Sequence, residues 1–220
     1  MSLSVIRVPG NQREEERMNK VLLMKTVKYS NLKKQLSLYR IISLIRAILY
    51  KLRLRKIKFP CLLGKPLLII GPKKISIEKN VRILPGARIE THQNGEITIQ
   101  ENVSIGHNLH IAAADNLIIE KNTTISGNVL ITDLEHGYQE VGKHIMEQDI
   151  TVKQTIIGEN CFIGYGVCIL SGTKLGKQCV VAANSVVKGE FPDYCVIAGA
   201  PAKVVKKLNP QSGIWEKVNM

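Results

Sequence analysis

Aromatic side chains are scarce in this sequence, and the shortage bears on its fold class. Phe, Trp and Tyr together make up 5% of the 220 residues. Sandwich and doubly wound domains rely on large aromatic side chains in their cores, so neither is favoured. No apolar run reaches the length of about 18 residues that a membrane-spanning helix needs, and no secretory signal peptide is visible. We therefore expect a cytoplasmic protein.

Acidic residues are nearly missing from the first quarter of the chain. Residues 1–60 hold 15 Lys or Arg and 3 Glu, whereas residues 61–220 hold 16 basic and 15 acidic residues. Almost all of the net charge of +13 therefore belongs to the N-terminal segment. A strong positive charge can indicate nucleic-acid binding. The segment has no interleaved aromatic residues and no recognised binding motif, so we expect no nucleic-acid partner.

A six-residue repeat dominates the rest of the sequence. An aliphatic residue recurs at every sixth position, and a small or short side chain usually follows four residues later. Neither a strand, with its period of about 2, nor a helix, with its period of about 3.6, gives this pattern. A fixed short repeat is the signature of a parallel β-helix. The aliphatic positions are Ile77, Ile83, Ile89, Ile99, Ile105, Ile111, Ile119, Ile125, Ile131, Ile157, Ile163, Ile169, Leu175, Val181 and Val187.

Cysteine usage agrees with a reducing compartment. The five cysteines include no C-x-x-C pair and no zinc-finger spacing. Cys161 and Cys179 occupy equivalent repeat positions and could stack on adjacent coils. We interpret them as buried free thiols in preference to a disulfide.

The repeat divides the chain into segments. Residues 1–30 form a polar tail, residues 31–58 a basic amphipathic helix, and residues 69–199 the β-helix, with a loop at 132–152. Residues 200–220 form a short C-terminal tail or helix. Two roles stay open for the basic helix. It could cover the exposed first coil, since solenoids need terminal caps, or it could lie on an anionic membrane surface.

The longest interruption of the repeat lies between Ile131 and Ile157 and contains His136. One long loop in a tight solenoid is typical of a functional site. A histidine near neutral pH can remove a proton from a hydroxyl group, and the nearby Asp133 or Glu135 could orient its ring. His136 is therefore our candidate general base. The pair His107 and His110 is expected in surface turns.

The hexads and the exit segment Ala198-Gly199-Ala200-Pro201-Ala202-Lys203 resemble those of the hexapeptide-repeat acyltransferases, over about residues 69–208. The Ile131–Tyr138 segment is similar to the histidine-bearing loop of the maltose/galactoside acetyltransferase branch. It is closer still to O-acetyltransferases of polysaccharide biosynthesis, in which Asp-x-x-His-Gly is common. The resemblance implies a left-handed parallel β-helix, a homotrimer, acetyl-coenzyme A as donor, and active sites between adjacent subunits.

The resemblance also implies roles for single residues. A backbone N–H at Gly164 or Tyr165 would stabilise the oxyanion, so Gly164 joins His136 as a catalytic candidate. Phe162, Asp133 and Glu135 would contact the acceptor. The residues expected to contact the coenzyme are Tyr165, Ala182, Ala183, Lys188, Lys203 and Lys206.

The predicted reaction is acetyl transfer to a sugar hydroxyl, and three alternative functions are considered beside it. The acceptor would be a surface polysaccharide or its lipid-linked precursor, modified in the cytoplasm or at the inner membrane face. N-acetylation of an amino sugar or a xenobiotic stays open. A γ-carbonic anhydrase would need three histidine ligands for zinc between subunits, and only His107 and His110 are closely spaced. A β-helix scaffold with a degenerate site is the non-enzymatic alternative. We expect no metal.

Overall fold

The computed structural model describes residues 37–218 of the chain. The predicted tail (1–30) and the start of the predicted helix (31–36) lie outside these residues. The chain divides into two units, Met1–Ile42 and Ser43–Met220, which are described separately. In the first unit, residues 37–42 are helical, and the large side chains Leu38, Ile41 and Ile42 are exposed.

The helix that continues into the second unit ends earlier than predicted. Residues 43–50 are helical, and the first strand, β1, already starts at Lys56. The predicted helix end at residue 58 and the predicted β-helix start at residue 69 are therefore both too late. The reason is that Ile57, Leu63 and Ile69 already follow the six-residue spacing, and the first two are buried. The intervening prolines lie at turns within a complete first coil.

Three parallel sheets, named faces A, B and C, form the sides of the solenoid in Ser43–Met220. With strands numbered in chain order, face A stacks β1 (Lys56–Ile57), β4 (Ile75–Ile77), β7 (Glu96–Ile99), β10 (Asn116–Ile119), β15 (Thr155–Ile157), β18 (Lys174–Leu175) and β21 (Glu190–Phe191). Face B stacks β2 (Leu62–Leu63), β5 (Arg82–Ile83), β8 (Ser104–Ile105), β11 (Thr124–Ile125), β16 (Phe162–Ile163), β19 (Val180–Val181) and β22 (Cys195–Gly199). Face C stacks β3 (Leu68–Ile70), β6 (Arg88–Thr91), β9 (His110–Ala113), β12 (Leu130–Thr132), β17 (Cys168–Ile169) and β20 (Val186–Val187).

The remaining elements lie outside these stacks. Strands β13 (Leu134–His136) and β14 (Ile150–Val152) form a separate hairpin, and β23 (Ala202–Leu208) and β24 (Trp215–Lys217) extend face B beyond its last parallel strand. Single-turn 3₁₀ helices occupy Pro72–Lys74 and Ile145–Glu147.

The parallel pairing is in register, so each aliphatic position stacks on its equivalent in the next coil. Ile119, for example, pairs with Ile99 on one side and with Ile157 on the other. All fifteen predicted aliphatic positions are at most 3% exposed, which confirms the repeat as the source of the core. The result is a left-handed parallel β-helix of about seven turns, as the resemblance implied.

The helical segment of the second unit covers the open edge of the first coil. Ser43, Ala47 and Leu54 are buried, and Nη1 of Arg46 donates a hydrogen bond of 2.9 Å to the carbonyl oxygen of Leu63. That carbonyl belongs to the first strand of face B, which has no preceding coil to pair with. The capping role stays a prediction, which these contacts of Ala47, Leu54 and Arg46 support.

Antiparallel strands close the other end of the solenoid. β22 pairs with β23, and β23 pairs with β24. The prediction of a tail or helix over residues 200–220 is wrong, because the edge of the last face B strand offers unpaired backbone groups that a returning strand can satisfy.

The cysteines are free, as predicted. Cys161, Cys179 and Cys195 are buried at equivalent positions of successive coils, and the Sγ atoms of Cys179 and Cys195 are 3.5 Å apart. The Cys161 thiol donates to the carbonyl oxygen of Gly176. Its hydrogen bond with Cys179 and its burial raise the pKa of Cys161 above the ordinary value, so it stays a protonated packing group.

Candidate active site

A β-hairpin interrupts the solenoid at the predicted loop. β13 pairs with β14 in antiparallel fashion, with His136 opposite Ile150. The N–H of Gly137 donates to the carbonyl oxygen of Asp149 at 2.8 Å, which fixes the backbone directly after the histidine. The His136 side chain is exposed, and within residues 37–218 no hydrogen bond or ion pair holds its ring. His136 is therefore free to meet a hydroxyl group from outside the chain.

Asp133 anchors the base of this hairpin. The residue is fully buried, and its two carboxylate oxygens accept the backbone N–H groups of Ala114 at 2.7 Å and Asp115 at 3.0 Å. Burial raises the pKa of Asp133 above its usual value, and the two backbone hydrogen bonds oppose that rise. Its carbonyl oxygen accepts from Ser171 Oγ at 2.7 Å. The predictions that Asp133 contacts the acceptor or orients His136 are corrected here, because its carboxylate is fully buried and turned toward the backbone of Ala114 and Asp115.

Glu135 points toward a later coil. Its Oε1 atom forms an ion pair of 2.6 Å with Nζ of Lys188, which follows β20. The structure therefore places Lys188, predicted as a coenzyme contact, against the hairpin. The pair ties the strand that carries His136 to the coil two turns further on.

Gly164 cannot supply the predicted oxyanion donor. Its N–H donates to the carbonyl oxygen of Val181 at 2.9 Å as part of the coil ladder. A Cβ atom at this position would lie 2.6 Å from the backbone nitrogen of Ala183, so the glycine permits close stacking of the two coils. The N–H of the next residue, Tyr165, forms no hydrogen bond within the described part of the chain. Of the two predicted backbone N–H groups, that of Tyr165 is therefore the one available to donate to an oxyanion.

The aromatic candidates lie on face B and at its edge. Phe162 lies between Thr124 and Val180 on the outer side of face B and is 46% exposed. The Tyr165 hydroxyl accepts a hydrogen bond from the side chain of Asn128. Both rings are therefore displayed to a ligand or partner.

The candidate residues leave the coil at two different corners. Tyr165 and Ala183 lie at the corner between faces B and C, because they follow strands of face B and precede strands of face C. Glu135 and Lys188 lie at the corner between faces C and A. A strand rises about 3.3 Å per residue, so a face of about six residues separates the two corners by roughly 20 Å. The hairpin and the Tyr165 corner thus belong to opposite edges of face C.

A β-bulge brings two predicted lysines onto one side of β23. Lys203 pairs with Ala198 and Lys206 pairs with Val196, with a register shift between them. Residues three apart normally point to opposite sides of a strand, and the extra residue of the bulge reverses this. Both lysines are exposed. The two ammonium groups can therefore act on one ligand. Ala182 is half-buried and Ala183 exposed at the corner described above.

A charged cluster on face C was missed by sequence reasoning. The nearly buried carboxylate of Glu90 accepts from Arg88 and lies 3.2 Å from Nε2 of His92 and 3.5 Å from Nε2 of His110. His110 lies on β9 and not in the predicted turn. The signal was present, because aligning Ile89 with Ile111 in the repeat places Arg88 beside His110.

Within residues 37–218, no group of three His, Cys, Asp or Glu side chains is arranged to hold a metal ion. Over the same residues, no helix has the length and apolar character needed to cross a membrane.

Comparison with known proteins identifies the repeat and a close relative. Residues 154–188 match the family model described as the hexapeptide repeat of succinyl-transferase. WbbJ of Escherichia coli K12, named as a lipopolysaccharide biosynthesis O-acetyl transferase, is 34% identical over 170 residues, which cover 74% of this chain and 84% of WbbJ. The galactoside O-acetyltransferase of the same organism is 31% identical over 108 residues, or 49% of each chain.

Solved structures share the fold. AntD, an N-acyltransferase from Bacillus cereus in complex with dTDP and 3-hydroxybutyryl-CoA, superposes with a TM-score of 0.65 at 19% identity, covering 76% of this chain and 90% of AntD. A galactoside acetyltransferase in complex with coenzyme A gives a TM-score of 0.56 at 22% identity, covering 80% of this chain and 78% of that enzyme.

Proposed function

The chain belongs to the hexapeptide-repeat acetyltransferases, and on that premise we propose that it transfers an acetyl group from acetyl-coenzyme A to a sugar hydroxyl, with His136 as general base. The observation that carries this proposal is the hairpin β13–β14. It interrupts an otherwise regular solenoid and presents an exposed histidine on an anchored strand.

The chemistry needs a base and an oxyanion donor. His136 accepts the proton of the acceptor hydroxyl as the oxygen attacks the thioester carbon. The N–H of Tyr165 donates to the oxygen of the tetrahedral intermediate, where such a donor is worth about a hundredfold or more in rate. As the carbon–sulfur bond breaks, His136 returns the proton to the leaving thiolate, so the imidazole ends the cycle neutral.

We assign the coenzyme to residues near the end of the solenoid. Lys203 and Lys206 share one side of β23, and their two positive charges suit the phosphates of coenzyme A. The small side chains of Ala182 and Ala183 would let the pantetheine arm approach the backbone. Lys188 is better assigned to holding the hairpin through Glu135.

The separation of the two corners favours a site shared between copies of the chain, and the resemblance implies that the copies form a homotrimer. A His136 hairpin on one edge of face C and a Tyr165 corner on the other edge would complete each other if a second copy faced the first. The site would then lie between subunits, and the trimer would carry three of them.

The similarity to WbbJ favours a hydroxyl of a surface polysaccharide or its lipid-linked precursor as acceptor. Such precursors are assembled at the inner face of the membrane, so we place the enzyme in the cytoplasm or on that face. N-acetylation of an amino sugar is the second candidate, and its support is the fold shared with AntD.

Thiol release from acetyl-coenzyme A across sugars, nucleotide sugars, amino sugars and simple amines tests the reaction. Activity on hydroxyl acceptors supports the proposal, and activity confined to amines would replace it with N-acetylation. His136→Ala should lower kcat about a hundred- to ten-thousandfold. The matched control is His144→Ala in the same loop, where Nδ1 only accepts the N–H of Met146. Equal rates for the two variants would exclude His136 as the base.

Subunit mixing tests the shared site. His136→Ala and Phe162→Ala chains are each expected to be weakly active alone. If each site draws the two residues from different subunits, random mixing restores both in about one quarter of the sites. Recovery to about that level supports the arrangement. No recovery from chains shown to mix would mean that both residues act within one subunit.

A further inference from the structure

The helical segment that caps the solenoid has a second, unused face. Its capping side includes Ala47 and Leu54, which are buried in the core. The opposite side carries Ile45, Ile48 and Leu49 at helical spacing, which places them on one face, and Leu52 follows in the turn after the helix ends at Tyr50. Their exposed fractions are Ile45 52%, Ile48 52%, Leu49 65% and Leu52 82%. The segment therefore buries Ala47 and Leu54 and leaves four other large aliphatic residues outside.

Such a surface indicates an interaction. Single exposed aliphatic residues are common, but a contiguous apolar stripe marks a contact with another molecule. Covering Ile45, Ile48 and Leu49 would not require breaking the cap, because Ala47 and Arg46 make their contacts from the other side of the segment.

The charge around this stripe identifies the kind of partner. From Arg17 to Ile77 the sequence has 16 Lys or Arg and no Asp or Glu. Near the stripe, Arg55 pairs with Glu96, and Lys56 pairs with Glu78. Lys51 and Arg53 are exposed and form no ion pair within the described residues. The guanidinium of Arg53 lies 5.9 Å from the centre of the Tyr50 ring.

We propose that the outer face formed by Ile45, Ile48, Leu49 and Leu52 docks in the plane of an anionic phospholipid bilayer. Apolar side chains on one face flanked by Lys and Arg are the features of an interfacial helix. A basic segment also concentrates at a negative leaflet, with about a fivefold gain in partitioning per cation near the surface. The same helix would then both cap the solenoid and hold the enzyme where lipid-linked acceptors are found.

Vesicle co-sedimentation of the full chain tests this surface. The vesicles contain phosphatidylcholine alone or phosphatidylcholine with one quarter phosphatidylglycerol. We expect binding to the anionic vesicles only, with weakening at high salt. Ile48→Asn combined with Leu52→Asn should weaken binding tenfold or more, and Lys51→Gln about fivefold. The control Ile214→Asn changes an equally exposed residue near the far end of the solenoid and should bind normally.

Each other outcome overturns the proposal. No binding to anionic vesicles, or equal binding by the double variant with unchanged thermal unfolding, would exclude docking through this face. If the double variant instead lowers the oligomeric state of the free protein, the face contacts a second copy. Acetyl transfer to a soluble acceptor is measured in parallel. Its retention by a variant that no longer binds vesicles separates this proposal from the proposed reaction.

Discussion

Replacing Asp133 by Asn should disable the hairpin while leaving the solenoid folded. The carboxylate holds two backbone N–H groups, from Ala114 and Asp115, at 2.7 and 3.0 Å. An amide keeps one acceptor oxygen and turns an NH₂ group toward the other N–H. One hydrogen bond to a charged group is lost, and a buried donor is left unsatisfied, which together cost about 2–3 kcal/mol.

The consequence for the reaction follows from the position of this residue. Asp133 lies three residues before His136, and its carbonyl oxygen also accepts from Ser171 and from the backbone of Lys153. A displacement of about 1 Å in a catalytic group can lower the rate about a hundredfold. We expect kcat to fall between tenfold and a hundredfold, with the KM for acetyl-coenzyme A within about twofold, since Lys203 and Lys206 are held by another strand.

Steady-state kinetics and thermal unfolding measure the two effects together. A cost of this size corresponds to a fall in Tm of about 4–12 °C for a domain of this length, if unfolding is a single transition. Glu147→Gln, an exposed carboxylate in the same loop, serves as the control and should change stability by less than about 0.5 kcal/mol. An Asp133→Asn enzyme with unchanged kcat and unchanged Tm would refute the anchoring role, as would the same losses in the control.

Two further predictions concern charge. Burial raises the pKa of Glu90, but the hydrogen bond and charge of Arg88, together with the charges of His110 and His92, outweigh burial and leave the pKa below its usual value. The ionised carboxylate therefore stabilises the folded state, and this contribution is lost as the pH falls through the folded-state pKa. Burial and Arg88 lower the pKa of His110, so stability also falls once the pH drops below about 6.5. The Tm of the wild-type protein should thus decrease from pH 7 toward pH 4. The Tm of the Glu90→Gln variant should decrease less steeply below pH 5, and parallel curves of Tm against pH for the two proteins would contradict this. For the coenzyme, Lys203→Gln should raise the KM severalfold, whereas Lys188→Gln should leave the KM within twofold and lower kcat; the reverse pattern would return Lys188 to the phosphates.

The core could be predicted from the sequence because it depends on a local rule. Each coil repeats one small pattern, so a six-residue spacing is enough to identify the residues that end up buried. The same rule reaches back to Ile57, Leu63 and Ile69, but the two prolines within this stretch, Pro60 and Pro66, make the first coil hard to recognise. Proline fits a turn at a corner as readily as a break between domains.

The roles of the site residues depend on hydrogen bonds that a spacing rule does not contain. Gly164 has the small side chain expected near a thioester, yet its N–H is taken by Val181 of the next coil. Asp133 is close to His136 in sequence, but the side chain turns inward toward Ala114. The partner of a side chain one coil away is set by the number of residues in the intervening turns, which the sequence pattern leaves undetermined near the long loop.

The hairpin does not change the register of the parallel strands on either side of it. β10 pairs with β15 as directly as it pairs with β7, and Leu117 lies opposite Thr155 although 37 residues separate them. A loop that enters and leaves without shifting the register can be lengthened, shortened or exchanged while the scaffold around it stays the same. The hairpin between Asp133 and Lys153 can therefore be treated as an exchangeable module. Grafting the histidine-bearing segment of another β-helix at these two residues would keep a base in place and is a route to a new acceptor preference on an unchanged frame.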